Sequence, residues 1–301
     1  MTHEDWEKFG NEKALVTVSG GVDSSVSALL TEKHLVNYEL VFVDTGFLRQ
    51  NEADAVRTIF GDKVQVLDAK SSFSLCSEAK TSHEKRATFR KAYFDFIKTY
   101  AIKNGFSAIV QGTQFYSNQS KRYHNLPPED FWNKGLKVIE PVKGWSKKQI
   151  RQMAQSLGLP EEFANRRPFP GPGLLIRFGG QYSDEKLNLV RRATRIVDEF
   201  VGRHKEEFSE CYQIFPYLTE ELATYVDAGM QGGLGRVLLI RAVYDKNHED
   251  KYLPFRATPK LEQELVSSLM SVGGIGRVCF DATPKVGFGE KVSFGGTIEY
   301  Q

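Results

Sequence analysis

Near its start the chain runs from an apolar stretch, Ala14 to Val18, straight into Ser19-Gly20-Gly21-Val22-Asp23-Ser24 and on into a helical pattern, Ser24 to Lys33. A buried strand that enters a glycine pair and leaves as a helix restricts the fold sharply. The glycines let the backbone come close to a polyphosphate and take φ values that other residues avoid. The helix N-terminus behind them offers free N–H groups and a partial positive charge. Ser19, Ser24 and Ser25 add hydroxyl donors. Asp23 is out of place beside phosphates unless it meets a magnesium ion or caps the turn. The run lacks the lysine and the spacing of Gly-x-x-x-x-Gly-Lys-Ser/Thr, so it is a different phosphate loop. An ordinary strand–turn–helix corner is the alternative, and the order of strand, loop and helix weighs against it.

Further strands are expected at Leu40 to Val43, Val64 to Leu67, Ala108 to Val110 and Val138-Ile139. Helices are expected at Glu52 to Phe60 and at Glu84 to Lys103, the latter with Phe89, Tyr93, Phe96 and Tyr100 on one stripe. Strands alternating with helices predict an α/β fold, a parallel twisted sheet with helices on both faces. Right-handed crossovers then gather the loops after the strands along one edge, where ligands bind. At Arg166 to Gly180 the prolines of Arg-Arg-Pro-Phe-Pro-Gly-Pro-Gly exclude a continuing helix or central strand. The stretch reads as a crossing between a domain of residues 1–177 and a smaller α+β domain of residues 178–301. In the latter, Ser183 caps a helix to Val201, Thr258-Pro259 opens one to Met270, and Val237 to Tyr244 and Val278 to Phe280 are strands.

Composition narrows the function. With 40 basic against 38 acidic residues, no broad basic face is announced, and a nucleic-acid coat binder is disfavoured. Cys76, Cys211 and Cys279 form no Cys-x-x-Cys pair, which argues against zinc, iron–sulfur or disulfide frameworks and fits a reducing compartment. Acidic residues near the N-terminus do not suit a secretory signal, and no apolar run approaches the roughly 20 residues of a membrane span. A cytoplasmic protein with no nucleic-acid or membrane partner is expected.

Ser-Gly-Gly-x-Asp-Ser is the signature loop of the N-type ATP pyrophosphatases, whose fold is adenine nucleotide alpha hydrolase-like. Within them the chain resembles the ATP-pyrophosphatase part of GMP synthetases. Four blocks carry the likeness: Ser19 to Val26, Phe42 to Arg49, Gln111-Gly112-Thr113, and Arg166 to Arg177 with its Pro-Phe-Pro-Gly-Pro-Gly-Leu core. Val66 to Lys70, Ile139-Glu140-Pro141 and Leu157 to Pro160 fall in the family's order.

The resemblance implies ATP and Mg2+ as cofactors and adenylation of a purine nucleotide, xanthosine monophosphate, with pyrophosphate leaving. Ammonia then displaces AMP. By position, Ser19, Gly20, Gly21, Val22, Asp23, Ser24 and Ser25 would hold the polyphosphate, with Asp23 also at the metal. Val43, Asp44 and Gly112 would complete the ATP site, and Asp23, Lys147 and Thr113 would be catalytic. Arg49, His124, Arg166, Pro168, Gly171, Lys285, Thr297, Ile298 and Glu299 would bind the substrate nucleotide. Plainer roles stand beside these: Asp44 as a turn cap, Lys147 as a solvated lysine, Arg166 and Arg167 as braces, His124 as a loop histidine, Cys76 as packing. The likeness also implies a homodimer through the C-terminal domain and a separate glutaminase subunit that supplies ammonia.

The chain departs from the family where substrate is read. Gln114 to Ser120 contains no acid where the family shows Pro-Asp and Glu-Ser. Gln231 to Arg236 stands for Gly-Asp-x-Arg-Thr-Tyr, and the ending Thr297-Ile298-Glu299-Tyr300-Gln301 closes on an amide rather than a carboxylate. An amide donates as well as accepts, which alters the purine edge preferred. A relative that adenylates another nucleotide or base, for amidation or sulfur insertion, is the alternative, and a catalytically dead nucleotide-binding regulator is a third.

Overall fold

Ala14–Thr17 (β1) is buried at all four positions, the signature of a strand covered on both faces. In the computed structural model, which describes residues 6–113, 135–164, 166–226, 232–245 and 252–283, β1 is the centre of a parallel sheet. It pairs with Tyr38–Asp44 (β2) on one side and Ala108–Val110 (β4) on the other, so that Ala14 faces both Tyr38 and Ala108. Val64–Asp68 (β3) and Lys137–Ile139 (β5) complete the order β3-β2-β1-β4-β5. The direction of progression reverses between β1 and β4. Such a switch point opens a crevice beyond the carboxyl ends of the two strands, and there Ser19 and Gln111 leave the sheet.

The helices follow from local chemistry. Val22–His34 (α1) starts at Gly21 and buries Val22, Val26 and Leu30 in the core beneath the sheet. Glu52–Phe60 (α2) begins after Asn51 at φ 60°, a left-handed conformation that asparagine tolerates. Lys147–Ser156 (α4), which follows Ser82–Lys103 (α3) in the chain, opens on a capping box: Ser146 accepts from Gln149 N–H, and the Gln149 side chain accepts from the Ser146 N–H. Glu161–Ala164 (α5) closes this series. In α3 the structure corrects the expected stripe. Phe89 is buried, but the deepest face beyond it is Phe94, Ile97 and Ala101. Tyr93, Phe96 and Tyr100 lie one position round and are half-buried, with Phe89–Tyr93 and Phe96–Tyr100 stacked at 6.2 and 6.4 Å. Aromatic rings are conspicuous in a sequence, whereas Ala101 is not.

Contacts divide the chain into two compact units, Met1–Leu75 with Ala87–Gly171, and Cys76–Arg86 with Pro172–Gln301. The division falls at Gly171/Pro172 rather than after residue 177, because Gly173–Arg177 forms a buried 3-10 turn with the second unit. That unit is α+β. Asp184–Arg203 (α6) is capped by Ser183, and Pro259–Met270 (α7) by Thr258 with proline in the first turn. Cys211–Val226 (β6), Gly232–Asp245 (β7) and Tyr252–Pro254 (β8) form an antiparallel sheet, to which Ile275–Asp281 (β9) adds in parallel along β7. β6 escapes a sequence reading because Pro216 and a register shift between Leu218 and Leu222 break its alternation. As an outer strand it tolerates the proline. Among the described residues no helix is long and apolar enough to cross a membrane.

Two lysines hold the chain where it enters this unit. Lys85 Nζ donates to the Phe178 carbonyl at 2.7 Å and lies 4.1 Å above the Phe178 ring. Lys186 Nζ donates to the Gly179 and Gln181 carbonyls at 3.1 and 2.9 Å and pairs with Glu220 at 3.2 Å. Burial pushes Lys85 from 10.5 down to about 7; the Lys186 charge adds to the fall and Glu220 opposes it. The unfolded chain therefore binds one more proton than the folded one between about pH 7 and 10.5, and stability rises with pH across that window. Urea midpoints should climb between pH 7 and 10 more steeply for the wild type than for Lys85→Met. Equal slopes would remove Lys85 as the cause.

Candidate active site

The glycine loop is built by its own serines. Ser19 N–H donates to Ser24 Oγ at 3.1 Å, the two hydroxyls lie 3.0 Å apart, and Ser24 Oγ donates to the Gly21 carbonyl at 3.0 Å. Gly20 sits at φ 77°, which a side chain would strain. Gly21 is extended and caps α1 without a side chain. The first intrahelical bond is Ser25 N–H to the Gly21 carbonyl at 3.0 Å. The N–H groups ahead of it point out of the helix, toward the positive end of its dipole. Ser25 is 1% exposed, and among the described residues its Oγ has no hydrogen-bond partner. Val22 contributes only backbone here, since its side chain belongs to the core.

Two further segments reach the head of α1. Gly112, two residues beyond β4, lies against it so tightly that a Cβ would sit 2.5 Å from the Ser24 nitrogen and 2.6 Å from the Asp23 carbonyl carbon. Thr113 next to it is buried. From the other direction Lys147, the first residue of α4, places Nζ 2.7 and 2.8 Å from the two carboxylate oxygens of Asp23. The pair is only partly exposed, 31% and 24% for the two side chains. Sequence positions 124 apart thus meet as a bidentate ion pair on the first turn of α1.

At the end of β2, Val43 is buried and Asp44 takes the turn-cap role: its Oδ1 accepts from Gly46 N–H at 2.9 Å, and its Oδ2 lies 3.1 Å from Lys70 Nζ. Arg166 takes the bracing role, with Nη1 on the Gly20 carbonyl at 3.2 Å and both terminal nitrogens on Glu52 at 2.8 and 3.0 Å. Arg49 reaches the same carboxylate at 2.9 Å and lies 4.2 Å over the Phe169 ring. Pro168 is half-buried and Gly171 exposed. His124, Lys285, Thr297, Ile298 and Glu299 lie outside the described residues.

The sequence reading missed Glu52 and Lys70. Glu52 had a signal, because it shares the i, i+4, i+8 face of α2 with Val56 and Phe60, all three buried. Lys70 had none that separates it from other lysines.

Residues 13–162 match the family described as phosphoadenosine phosphosulfate reductase domain. The second subunit of the glutamine-hydrolyzing GMP synthase of Methanocaldococcus jannaschii is 32% identical over 293 residues, covering 93% of this chain and 92% of that one. The same subunit from Methanothermobacter thermautotrophicus is 35% identical over 247 residues, 78% of each chain. That of Pyrococcus horikoshii is 32% identical over 298 residues, 93% and 92%. The chain belongs to this family of GMP synthase subunits. Its members are ligases of the ATP-pyrophosphatase type. A solved 4-thiouridine synthetase–RNA complex with bound ATP overlaps 51% of this chain and 42% of its own at 20% identity and a TM-score of 0.39, too small an overlap to assign function.

Two substitutions test the site of this family member. Gly112→Ala pushes a methyl group into the backbone of α1, an overpacking that costs about 1–3 kcal/mol or more. It should lower the melting temperature and weaken ATP binding together, and wild-type values for both would place Gly112 elsewhere. Asp23→Ala should abolish pyrophosphate release while the far-ultraviolet circular dichroism stays native. Wild-type turnover would show that the ATP site is misplaced.

Proposed function

We propose that this chain is the synthase subunit of a two-chain enzyme: it adenylates the C2 oxygen of xanthosine monophosphate with ATP, and ammonia then displaces AMP to give GMP. The observation that carries the proposal is the convergence on the head of α1 of the glycine loop, Gly112 and the Asp23–Lys147 pair. Relatives matched over nine-tenths of their length support the choice of reaction.

In this reading the substrate oxygen attacks the α phosphorus and the bond to pyrophosphate breaks. The N–H groups of the first turn of α1, with the hydroxyls of Ser19, Ser24 and Ser25, bind the β and γ phosphates. Lys147 turns from Asp23 to the leaving pyrophosphate, where its ammonium meets the negative charge that develops as the bond opens. Gly112 leaves backbone room beside the reacting phosphate, and buried Thr113 orients the adenylate. Val43 and Asp44 line the adenosine end. Arg49 and Arg166 set two guanidinium charges against the single carboxylate of Glu52, a local excess suited to the substrate's phosphate. Pro168 and Gly171, on the segment that follows Arg166, belong to the same proposed substrate site.

The donor set fits magnesium in one form only. Among the described residues no group of three or more His, Cys, Asp or Glu side chains gathers as a metal cage. Magnesium is commonly held by one or two carboxylates plus phosphate oxygens and water, and Asp23 at the loop suffices for that. Held there, the ion would neutralise charge on the polyphosphate. Ammonia comes from a separate glutaminase subunit, in keeping with the name of the relatives, and the second unit carries the homodimer contact. A second reading, adenylation of another nucleotide or base for amidation or sulfur insertion, draws on the acid-free Gln114 to Ser120.

Pyrophosphate release from Mg–ATP, measured with a panel of purine nucleotides and ammonium, separates the two. Release that requires xanthosine monophosphate and yields GMP is expected. Silence with that nucleotide and release with another would replace the first reading by the second.

A further inference from the structure

Glu52 takes no part in the proposed chemistry, yet the first unit buries it beside the phosphate loop. Its side chain is 4% exposed, and both oxygens are engaged twice. Arg49 donates to Oε2 at 2.9 Å and to Oε1 at 3.3 Å, and Arg166 to Oε1 at 2.8 Å and to Oε2 at 3.0 Å. The Arg166 contact is a two-pronged pair, which fixes the plane of the guanidinium as well as its position. So held, Arg166 turns Nη1 onto the Gly20 carbonyl at 3.2 Å. The same side chains close over the Gly20 Cα. A Cβ on it would lie 3.1 Å from Val56 Cγ2 and 3.2 Å from both Arg166 Nη1 and Glu52 Oε1. A peptide is planar, so fixing the Gly20 carbonyl fixes the direction of the Gly21 N–H.

We infer that Glu52 is a positioning residue: acting through Arg166, it sets the Gly20–Gly21 peptide of the loop and with it the grip on the β and γ phosphates. This rests on the reading of the loop as an ATP site. A purely structural role, tying α2 to its surroundings, would affect every ligand of the site alike. A role through the Gly20–Gly21 peptide acts only where that peptide meets the ligand. The two therefore differ for AMP, which has no β or γ phosphate.

The test is equilibrium binding of Mg–ATP, inorganic pyrophosphate and AMP to the wild type, Glu52→Gln, Arg166→Lys and the double variant, with a melting curve for each. Glu52→Gln keeps the shape and removes the charge and one acceptor; Arg166→Lys keeps the charge and removes the fork. Each single variant should bind ATP and pyrophosphate about tenfold or more weakly, the effect of losing a hydrogen bond to a charged group. AMP binding should fall by clearly less than ATP and pyrophosphate binding. The double variant should be no weaker than the worse single one, because both break one link. Unchanged ATP and pyrophosphate binding overturns the inference, and so does an equal loss for AMP. Should Glu52→Gln not fold, Arg166→Lys at the more exposed end of the link carries the same comparison. A wild type that binds neither ATP nor pyrophosphate removes the loop reading and this inference together. A wild type that binds both, with variants that match it, removes this inference alone.

Discussion

The backbone contact between Gly112 and the first turn of α1 governs the rest of the site. With the Ser24 nitrogen 2.5 Å from where a Cβ would stand, the segment after β4 and the head of α1 meet main chain to main chain. Thr17 adds a buried hydroxyl bond to the Val110 carbonyl at 3.1 Å, beside the parallel ladder that joins β1 and β4. The loop from Ser19 to Asp23 is thus anchored at both ends to the middle of the sheet, where strands are least free to move. Its serine hydrogen bonds then have little slack to absorb. A cradle for a flexible polyphosphate works only if its own shape is settled beforehand.

Electrostatics adds to this frame instead of creating it. Carboxylates taken out of water are costly, and a buried ion pair seldom repays the cost in full. Glu52 is nonetheless buried, with two arginines on its carboxylate. Replacing a buried ion pair by well-packed apolar groups is often neutral or stabilising, so stability is a poor reason for their presence. The arrangement makes sense as a fixture for direction, since a two-pronged arginine can hold a carbonyl at a chosen angle and a leucine cannot. The Asp23–Lys147 pair is different in kind. It is partly exposed, and its lysine sits on the capped first turn of α4, close enough to Asp23 to hold both oxygens.

Much of this is legible in the sequence alone. Helix α2 was read to the residue, since its apolar spacing and flanking turn residues agree. The strands β1 to β5 were found because parallel strands are runs of apolar residues, and the order of loop and helix picked out Ser19 to Ser25. What failed did so for physical reasons. The deepest face of α3 runs through Phe94, Ile97 and Ala101, and a small residue such as Ala101 gives little signal in a sequence beside the rings of Tyr93, Phe96 and Tyr100. β6 is a bulged outer strand with a proline and two adjacent glutamates, and only its far half, from Leu218 back to Cys211, pairs with distant partners, Leu238 to Tyr244. α4 was missed because its polar exposed face masks a short stripe of Ile150 and Ala154, although Ser146 and Gln149 spell out a capping box. Glu52 was overlooked because a charged residue is read as solvated by default, even on a face shared with Val56 and Phe60.

The head of α1 also carries polar groups that its own fold does not satisfy. Ser25 Oγ is buried and unpartnered among the described residues, at a cost of about 1–3 kcal/mol for a buried hydroxyl. Gly21 caps the helix with no side-chain acceptor, although serine, aspartate or asparagine at that position would add a few tenths of a kcal/mol. Either defect is easily removed by substitution: Ser25 to alanine, Gly21 to serine. Both repairs would blunt the features that suit an anion, the extra hydroxyl donor and the bare N-terminal N–H groups. Local instability at this corner is therefore coupled to ligand, because whatever binds the folded loop stabilises the whole domain in proportion to the logarithm of its concentration over its dissociation constant.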